Sequence, residues 1–216
     1  MTRRGTGATR LGAPTLTAAD WADAALQLIA EKGLGALTVG ALAERLGVTK
    51  GSFYWHFEGR SALLAAALRH WEQRTTGDAI TGLEEVKDYR RRLELMLDAA
   101  SRPPRSRSLH AALAEAAEDP IVRDVLNRVA SKRIAYLESC YRKLGRSQAV
   151  ARSYAVFAYA AYRGLLQLAH EAPAALPADW SSYPGVIRQA LVPAPPKRSK
   201  RRRPIVSGRL TAGSRK

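Results

Sequence analysis

Residues 42–57 read LAERLGVTKGSFYWHF. With Val39 just upstream, apolar Leu42, Ala43 and Leu46 complete an i, i+3, i+4, i+7 series, the spacing of one buried helical stripe. Gly47 follows at once, and glycine takes the left-handed conformation that ends a helix with no Cβ penalty. Val48 is apolar and is expected to point back inward. Thr49 stands where a helix N-cap belongs, its hydroxyl able to accept a bond from a free N–H one turn on. Ala43 is small enough for two helices to cross closely. A helix, a glycine turn and a second helix at this spacing predict a helix-turn-helix, whose second helix enters a DNA major groove.

Outward from this stretch, the upstream chain predicts a helix from Ala18 to Lys32. Thr17 is its N-cap, Asp20 favours the positive helix terminus, and Trp21, Ala25, Leu28 and Ile29 form the core stripe. Gly33 stops it, and Leu37 is expected to fill a small core with Leu28, Leu42, Leu46, Val48 and Phe57. Downstream, Glu58-Gly59-Arg60-Ser61 opens a fourth helix carrying Leu63, Leu64, Ala67, Leu68 and Trp71. Thr75 to Gly82 has two glycines and no stripe, which places a boundary there.

The remainder also reads as helices. One is expected from Leu83 to Ser101, ended by Arg102-Pro103-Pro104, and a short one from Ser108 to Ala117. Asp119-Pro120 is an N-cap followed by proline, and starts a long helix to Leu144 that Gly145 ends. Ser147 is expected to cap the next, through His170. Pro173 and Pro177 break the chain before a last helix over Asp179–Leu191. No Asn-Gly or Asp-Gly hairpin turn occurs in the sequence. The expected fold is therefore all-α: a three-helix helix-turn-helix head followed by a helical ligand-binding and dimerisation domain. The division is a disordered basic arm over residues 1–16, the head over 17–75, the second domain over 76–192 and a disordered basic tail over 193–216.

The net charge of +16 is unevenly spread. Nine Lys/Arg and no Asp/Glu fall in residues 193–216, so more than half the excess lies outside the expected folded body. The charge agrees with a nucleic-acid partner but does not identify one. No window approaches ~18 uninterrupted apolar residues. The N-terminus lacks an apolar signal core, and a lone cysteine, Cys140, suits a reducing compartment, so a cytoplasmic protein with no membrane partner is expected. Cys140 lies between Leu137 and Tyr141 and reads as an inert thiol rather than a redox switch.

Thr38 to Leu64, TVGALAERLGVTKGSFYWHFEGRSALL, resembles the DNA-binding head of the TetR family of bacterial repressors. The matching pieces are the Thr before an apolar helix, LGV at the turn, the aromatic run F-Y-W-H-F, and a basic residue three positions after Phe57. The likeness is sharp from about Thr17 to Leu68; beyond that only helical architecture and length agree. Lys50 and Ser52 fall in the first turn of the recognition helix, the part that meets base edges or nearby phosphates, and Gly51 lets the backbone come close. The resemblance places Tyr54, His56 and Arg60 at phosphate-contacting positions; the family usually has Lys where Arg60 stands. Thr38 and Thr49 are positioned to offer hydroxyls to the DNA backbone. Phe53 and Phe57 are assigned to the core. Trp55 is intermediate, its ring packed on the helix pair and its edge facing DNA. Arg3, Arg4 and Arg10 are placed to reach a DNA backbone or minor groove, as basic arms do; the alternative is a solvated tail.

The resemblance also implies a homodimer formed by the last two helices, two recognition helices reading a palindromic operator, and repression as the usual mode. The small residues Ala151, Ala155, Ala158 and Ala161 suit such a close interface; the alternative is that this face packs within its own monomer. A small-molecule effector is expected in the body, lined by Tyr89, Leu93, Leu97, His110, Leu113, Tyr136, Phe157 and Tyr162. No cofactor or metal is expected, since His56 has no Cys, His or Asp at ligand spacing. No phosphate loop, nucleophile elbow or carboxylate pair points to an enzyme. A non-specific DNA-coating protein and an activator on the same fold are the rival readings.

Overall fold

Thr17 opens the first helix with both halves of a capping box. Its hydroxyl accepts from the Asp20 N–H at 3.3 Å, and the Asp20 carboxylate accepts from the Thr17 N–H at 2.7 Å. The computed structural model describes residues 16–102 and 109–194. The expectations for Arg3, Arg4 and Arg10, for Pro103-Pro104 and Ser108, and for the tail beyond Ala194 lie outside the described residues.

Helix α1 (Ala18–Lys32) buries Trp21, Ala25, Leu28 and Ile29 and stops at Gly33, whose φ is 80°. A single 3-10 turn, Leu34–Ala36, leads to α2 (Val39–Leu46). The Thr38 hydroxyl caps α2 by accepting from the Ala41 N–H at 3.1 Å. Gly47 then takes φ 67° and ψ 32°, the left-handed cap that the turn requires. A Cβ added at Gly47 would meet nothing within 4 Å, so the whole cost of a side chain there is conformational. Gly47→Ala is expected to destabilise the protein by roughly 1–2 kcal/mol, read as a lower denaturant midpoint at unchanged slope. Helix α3 (Lys50–Tyr54) follows, then α4 (Arg60–Glu72).

The glycine-containing stretch read as a break at 75–82 is helical instead. Helix α4 runs into a π-helical turn, Gln73–Gly77, and on into α5 (Asp78–Glu84). The Thr75 hydroxyl donates to the Trp71 carbonyl at 2.7 Å and Thr76 is buried, so side chains support the widened turn. The true interruption comes at residues 85–88. Asp88 caps α6 (Tyr89–Ala100) by accepting from the Arg90 N–H at 2.9 Å, six residues after the expected start at Leu83.

Helix α7 (Leu109–Glu115) precedes α8 (Pro120–Lys143), whose Asp119 cap accepts from the Ile121 and Val122 N–H groups. Gly145, with φ 87°, turns the chain into α9 (Gln148–Glu171). Ser147 occupies the N-cap position, but its hydroxyl makes no capping bond. The last helix, α10 (Tyr183–Leu191), starts four residues later than expected because the Asp179 carboxylate closes a local turn on Ser181.

Two apolar cores result. The first joins the head to the body, since Trp21, Leu42, Phe53 and Leu64 share one cluster with Leu113, Val122, Val125 and Val129. The second, between α6, α8, α9 and α10, contains Leu93, Leu97, Leu137, Tyr141, Ala151, Ala155 and Ala158. This corrects the reading of the alanine stripe. Ala151, Ala155 and Ala158 let α9 approach α8 of the same chain, so they are unavailable to a second copy. Tyr141 donates to the Leu191 carbonyl at 2.9 Å and ties the end of α10 to this core. Among the described residues no helix is long and apolar enough to cross a membrane.

Candidate nucleic-acid interface

Helix α3 is only five residues long and cannot hold itself together; the aromatic core beneath it does. Phe53 is fully buried, with its ring 5.4 Å from Trp21 in an edge-to-face pair and 5.7 Å from Phe57. With Phe53 facing inward, the rest of the helix is turned out. Tyr54 is 63% exposed and Trp55 88% exposed. Lys50, Gly51 and the cap residues Thr38 and Thr49 are also exposed, and His56 is half-buried. Six expected interface residues thus face solvent, at the N-caps of α2 and α3, along α3 and just after it, with His56 half-covered beside them.

Four details differ from the sequence reading. Trp55 does not pack on the helix pair; its ring stands in solvent. The Ser52 hydroxyl is shielded from solvent and makes no hydrogen bond, so it does not reach out as a base reader here. Thr49 is at the N-cap, but its hydroxyl makes no capping bond. Arg60 is turned inward: its Nε donates to the Leu37 carbonyl at 2.8 Å and its Nη2 to the Leu34 carbonyl at 3.1 Å. The Leu34 carbonyl already accepts from the Leu37 N–H at 3.1 Å, and the guanidinium fork adds a second bond to it while reaching the Leu37 carbonyl, bracing both sides of the 3-10 turn. Lys50 lies across the adjacent helix, its Cε 3.3 Å from where a Cβ would stand on Gly40. A larger residue at position 40 would push the lysine off that course.

The head is fastened to the body at the π turn. The buried Glu72 carboxylate accepts from Arg128 Nε and Nη2 at 3.1 and 3.0 Å and from Lys132 Nζ at 2.6 Å. Burial alone would raise its pKa, but the hydrogen bonds from Lys132 and Arg128 outweigh it and leave the pKa lowered. The next residue on α8, Arg133, donates to the Thr76 hydroxyl at 3.0 Å and to the Thr75 carbonyl at 2.9 Å.

A cavity of about 400 Å³ opens beside this junction. Its walls come from the π turn, α5, α6, α8 and α9, and include Thr76, Ile80, Leu83, Met96, Arg133 and Tyr162. Of the residues expected to line an effector site, Leu97 and Tyr162 do so. Leu93 and Leu113 are fully buried core, and Phe157 points outward with 58% exposure. Tyr89 is covered by the Arg92 guanidinium 4.6 Å away, and Tyr136 lies outside the cavity with its hydroxyl shielded. His110 sits behind the wall, edge-on to Trp71 at 5.4 Å and 3.5 Å from the Tyr162 hydroxyl. Burial, with Arg163 and Arg133 nearby, pushes its pKa down to about 3, so it stays neutral. The lining residues between Thr75 and Leu83 are outside the expected set because Gly77 and Gly82 make the sequence read as a break over 75–82. Thr76, Ile80 and Leu83 are nonetheless spaced i, i+4, i+7, a helical stripe hidden by Gly77 and Gly82.

Comparison with known proteins agrees with this architecture. The family described as bacterial regulatory proteins, tetR family, matches residues 22–67, the stretch from α1 to α4. The HTH-type transcriptional regulator SrpR of Pseudomonas putida is 32% identical over 81 residues, 38% of each chain. The tetracycline repressor protein class A from transposon 1721 of Escherichia coli is 54% identical over 43 residues, 20% of each chain. The alignments thus span well under half the length of these relatives. A transcriptional regulator of known structure from Rhodococcus sp. Rha1 shares the fold over 83% of this chain and 100% of its own, with a TM-score of 0.66 and 23% identity. Residues 22–67 thus carry the helix-turn-helix head of the tetR family of bacterial regulatory proteins, and the chain as a whole shares its all-helical fold with a transcriptional regulator of known structure.

Proposed function

We propose that the protein is a dimeric, effector-responsive repressor that binds a palindromic operator through α3. The observation that carries this reading is the pairing of a fully buried Phe53 with Tyr54 and Trp55 held in solvent beside Lys50. Large exposed aromatics on a monomer are expected to meet a partner. Lys50 and the backbone at Gly51 read base edges, while Tyr54, Trp55, His56, Thr38 and Thr49 contact phosphates and sugars. The shielded Ser52 hydroxyl takes no part in this contact, and Arg60 braces the turn that presents Thr38. DNA footprinting over the region flanking the coding sequence tests the reading: one palindromic footprint is expected, and uniform protection would point to a DNA-coating protein instead.

Tyr54→Ala is expected to weaken binding to all sequences alike. Lys50→Ala is expected to change sequence preference by ~1–3 kcal/mol. Titrations against the operator and a base-substituted variant separate the two, and affinity is expected to fall steeply with salt as counterions are released. Unchanged operator affinity in both variants would remove α3 from the interface.

The dimer reading rests on the outer face of α9 rather than its alanine stripe. Val156, Phe157, Ala160, Gly164 and Leu168 form an exposed row there, and Val186 on α10 is exposed as well. A Cβ added at Gly164 would meet nothing within 4 Å, leaving room for a facing helix. A two-fold axis through this face would present two α3 helices to half-sites about 34–36 Å apart. Phe157→Glu is expected to convert dimer to monomer in sedimentation at micromolar concentration and to abolish operator binding. A variant that remains dimeric would place the interface elsewhere.

The effector site is the cavity beside the π turn. A molecule bound there touches Thr76 and Arg133, the contacts that fasten α4 to α8. It changes DNA affinity by its differential affinity for the two head spacings.

A further inference from the structure

The cavity contains a cation that the fold does not neutralise. Among the described residues, Arg133 has no carboxylate within ion-pair distance; its acceptors are the neutral Thr76 hydroxyl and Thr75 carbonyl. Its neighbours on the same helix face differ. Arg128 and Lys132 are both bound by Glu72. Arg133 also lies 5.8 Å from the Tyr162 ring centroid, and Tyr162 lines the same cavity. The other walls are almost wholly apolar, with Ile80, Leu83, Met96 and Leu137 prominent. Arg163 adds positive potential near the same wall: it and Arg133 both help to hold the buried His110 uncharged.

An arginine set in an apolar cavity without a counter-ion is a poor stability device but a ready receptor for a planar anion. We infer that the effector is a small amphipathic carboxylate, its head paired with the Arg133 guanidinium and its apolar body between α5, α6 and α8. The inference rests on the effector-pocket reading above and specifies its ligand class. It also supplies the coupling. A carboxylate that recruits the fork draws it from Thr75 and Thr76, so occupancy loosens the tie between the π turn and α8. The cavity volume falls within the ~300–1,000 Å³ of small-molecule sites, which suits a chain of moderate length.

Decanoate, decanol and decylamine provide the test, as probes of equal length that differ only at the head. Calorimetric titration of the full chain is expected to show decanoate binding at least ~10-fold more tightly than decanol, the worth of one charge-assisted hydrogen bond, with decylamine weakest. Arg133→Gln is expected to erase the difference between decanoate and decanol, and Arg133→Lys to retain part of it, with circular dichroism checking that each variant is folded. If a variant fails to fold, the three probes on the unaltered protein still decide. Equal binding of decanoate and decanol would overturn the anion assignment and leave an apolar effector pocket standing. Tighter binding of decylamine would overturn it as well. No binding by any probe would overturn the assignment and count against the cavity as an effector site. The footprint on DNA, measured in the same samples, reports separately on the DNA-binding reading.

Discussion

Phe53→Ala is expected to destabilise the protein by ~3–5 kcal/mol and to abolish DNA binding by unfolding the head. The ring is fully buried among Trp21 at 5.4 Å, Phe57 at 5.7 Å and Tyr54 at 5.2 Å. Its removal loses the transfer energy of a large aromatic and leaves a cavity under a five-residue helix with no other anchor of that size. The shared core carries the effect into the body, because Val122 and Val125 belong to the same cluster. A fall in melting temperature on the order of 10 °C is expected for a chain of this size. Phe53→Leu, which keeps most of the volume, is expected to cost under ~1.5 kcal/mol. The contrast with Tyr54→Ala is the decisive measurement. The two residues are adjacent, yet one substitution is expected to remove the fold and the other only affinity. A Phe53→Ala protein with an unaltered melting temperature would refute the packing described for α3.

Glu72→Ala is expected to cost roughly 1–3 kcal/mol and to weaken operator binding without touching the interface. The lower part of the range for buried ion pairs applies because Arg128 and Lys132 are 48% and 54% exposed and regain water when the carboxylate leaves. What is lost is three hydrogen bonds to a buried anion that set the angle between α4 and α8. The pH dependence follows from the lowered pKa. A carboxylate with a depressed folded-state value contributes its full stability above the ordinary value of 4.5 and loses it as pH falls through the lower folded value. The unaltered protein is therefore expected to lose more stability than Glu72→Gln on acidification below 4.5, as read from urea midpoints. Identical slopes would mean that the carboxylate does not hold the junction.

The head was legible in the sequence because its signals are local. Thr17 with Asp20, Thr38, and Gly47 each act within a few residues, and the capping bonds and the left-handed glycine stand where the spacing puts them. The division of Phe53 from Tyr54 was legible too, since helical periodicity assigns one to the core and the next to the surface. Asp119-Pro120 opened α8 for the same reason.

The body was less legible because its decisive contacts are long-range. In residues 75–82 the glycines at 77 and 82 mask the short helical stripe of Thr76, Ile80 and Leu83. The π turn is held by the Thr75 bond to Trp71 and by Arg133, some 58 residues away along the chain. The small side chains of α9 permit close approach to any helix, and sequence cannot say whether that helix belongs to the same chain or another. Packing against α8 answers this, and moves the candidate interface to the row containing Phe157 and Leu168. Arg60 shows the limit at a single residue. Its charge after Phe57 suits a phosphate, but the Leu34 and Leu37 carbonyls flanking the 3-10 turn bind the guanidinium.

By itself, then, the sequence determined the all-helical class, the helix-turn-helix and which side of α3 faces out. These follow from propensity, capping and periodicity, which act over one or two turns. Tertiary structure alone decided where the head is tied to the body, which face of α9 is free, and that Arg133 enters the cavity with no carboxylate beside it among the described residues. Each of these depends on which distant groups arrive beside a side chain, and chain spacing carries no record of that.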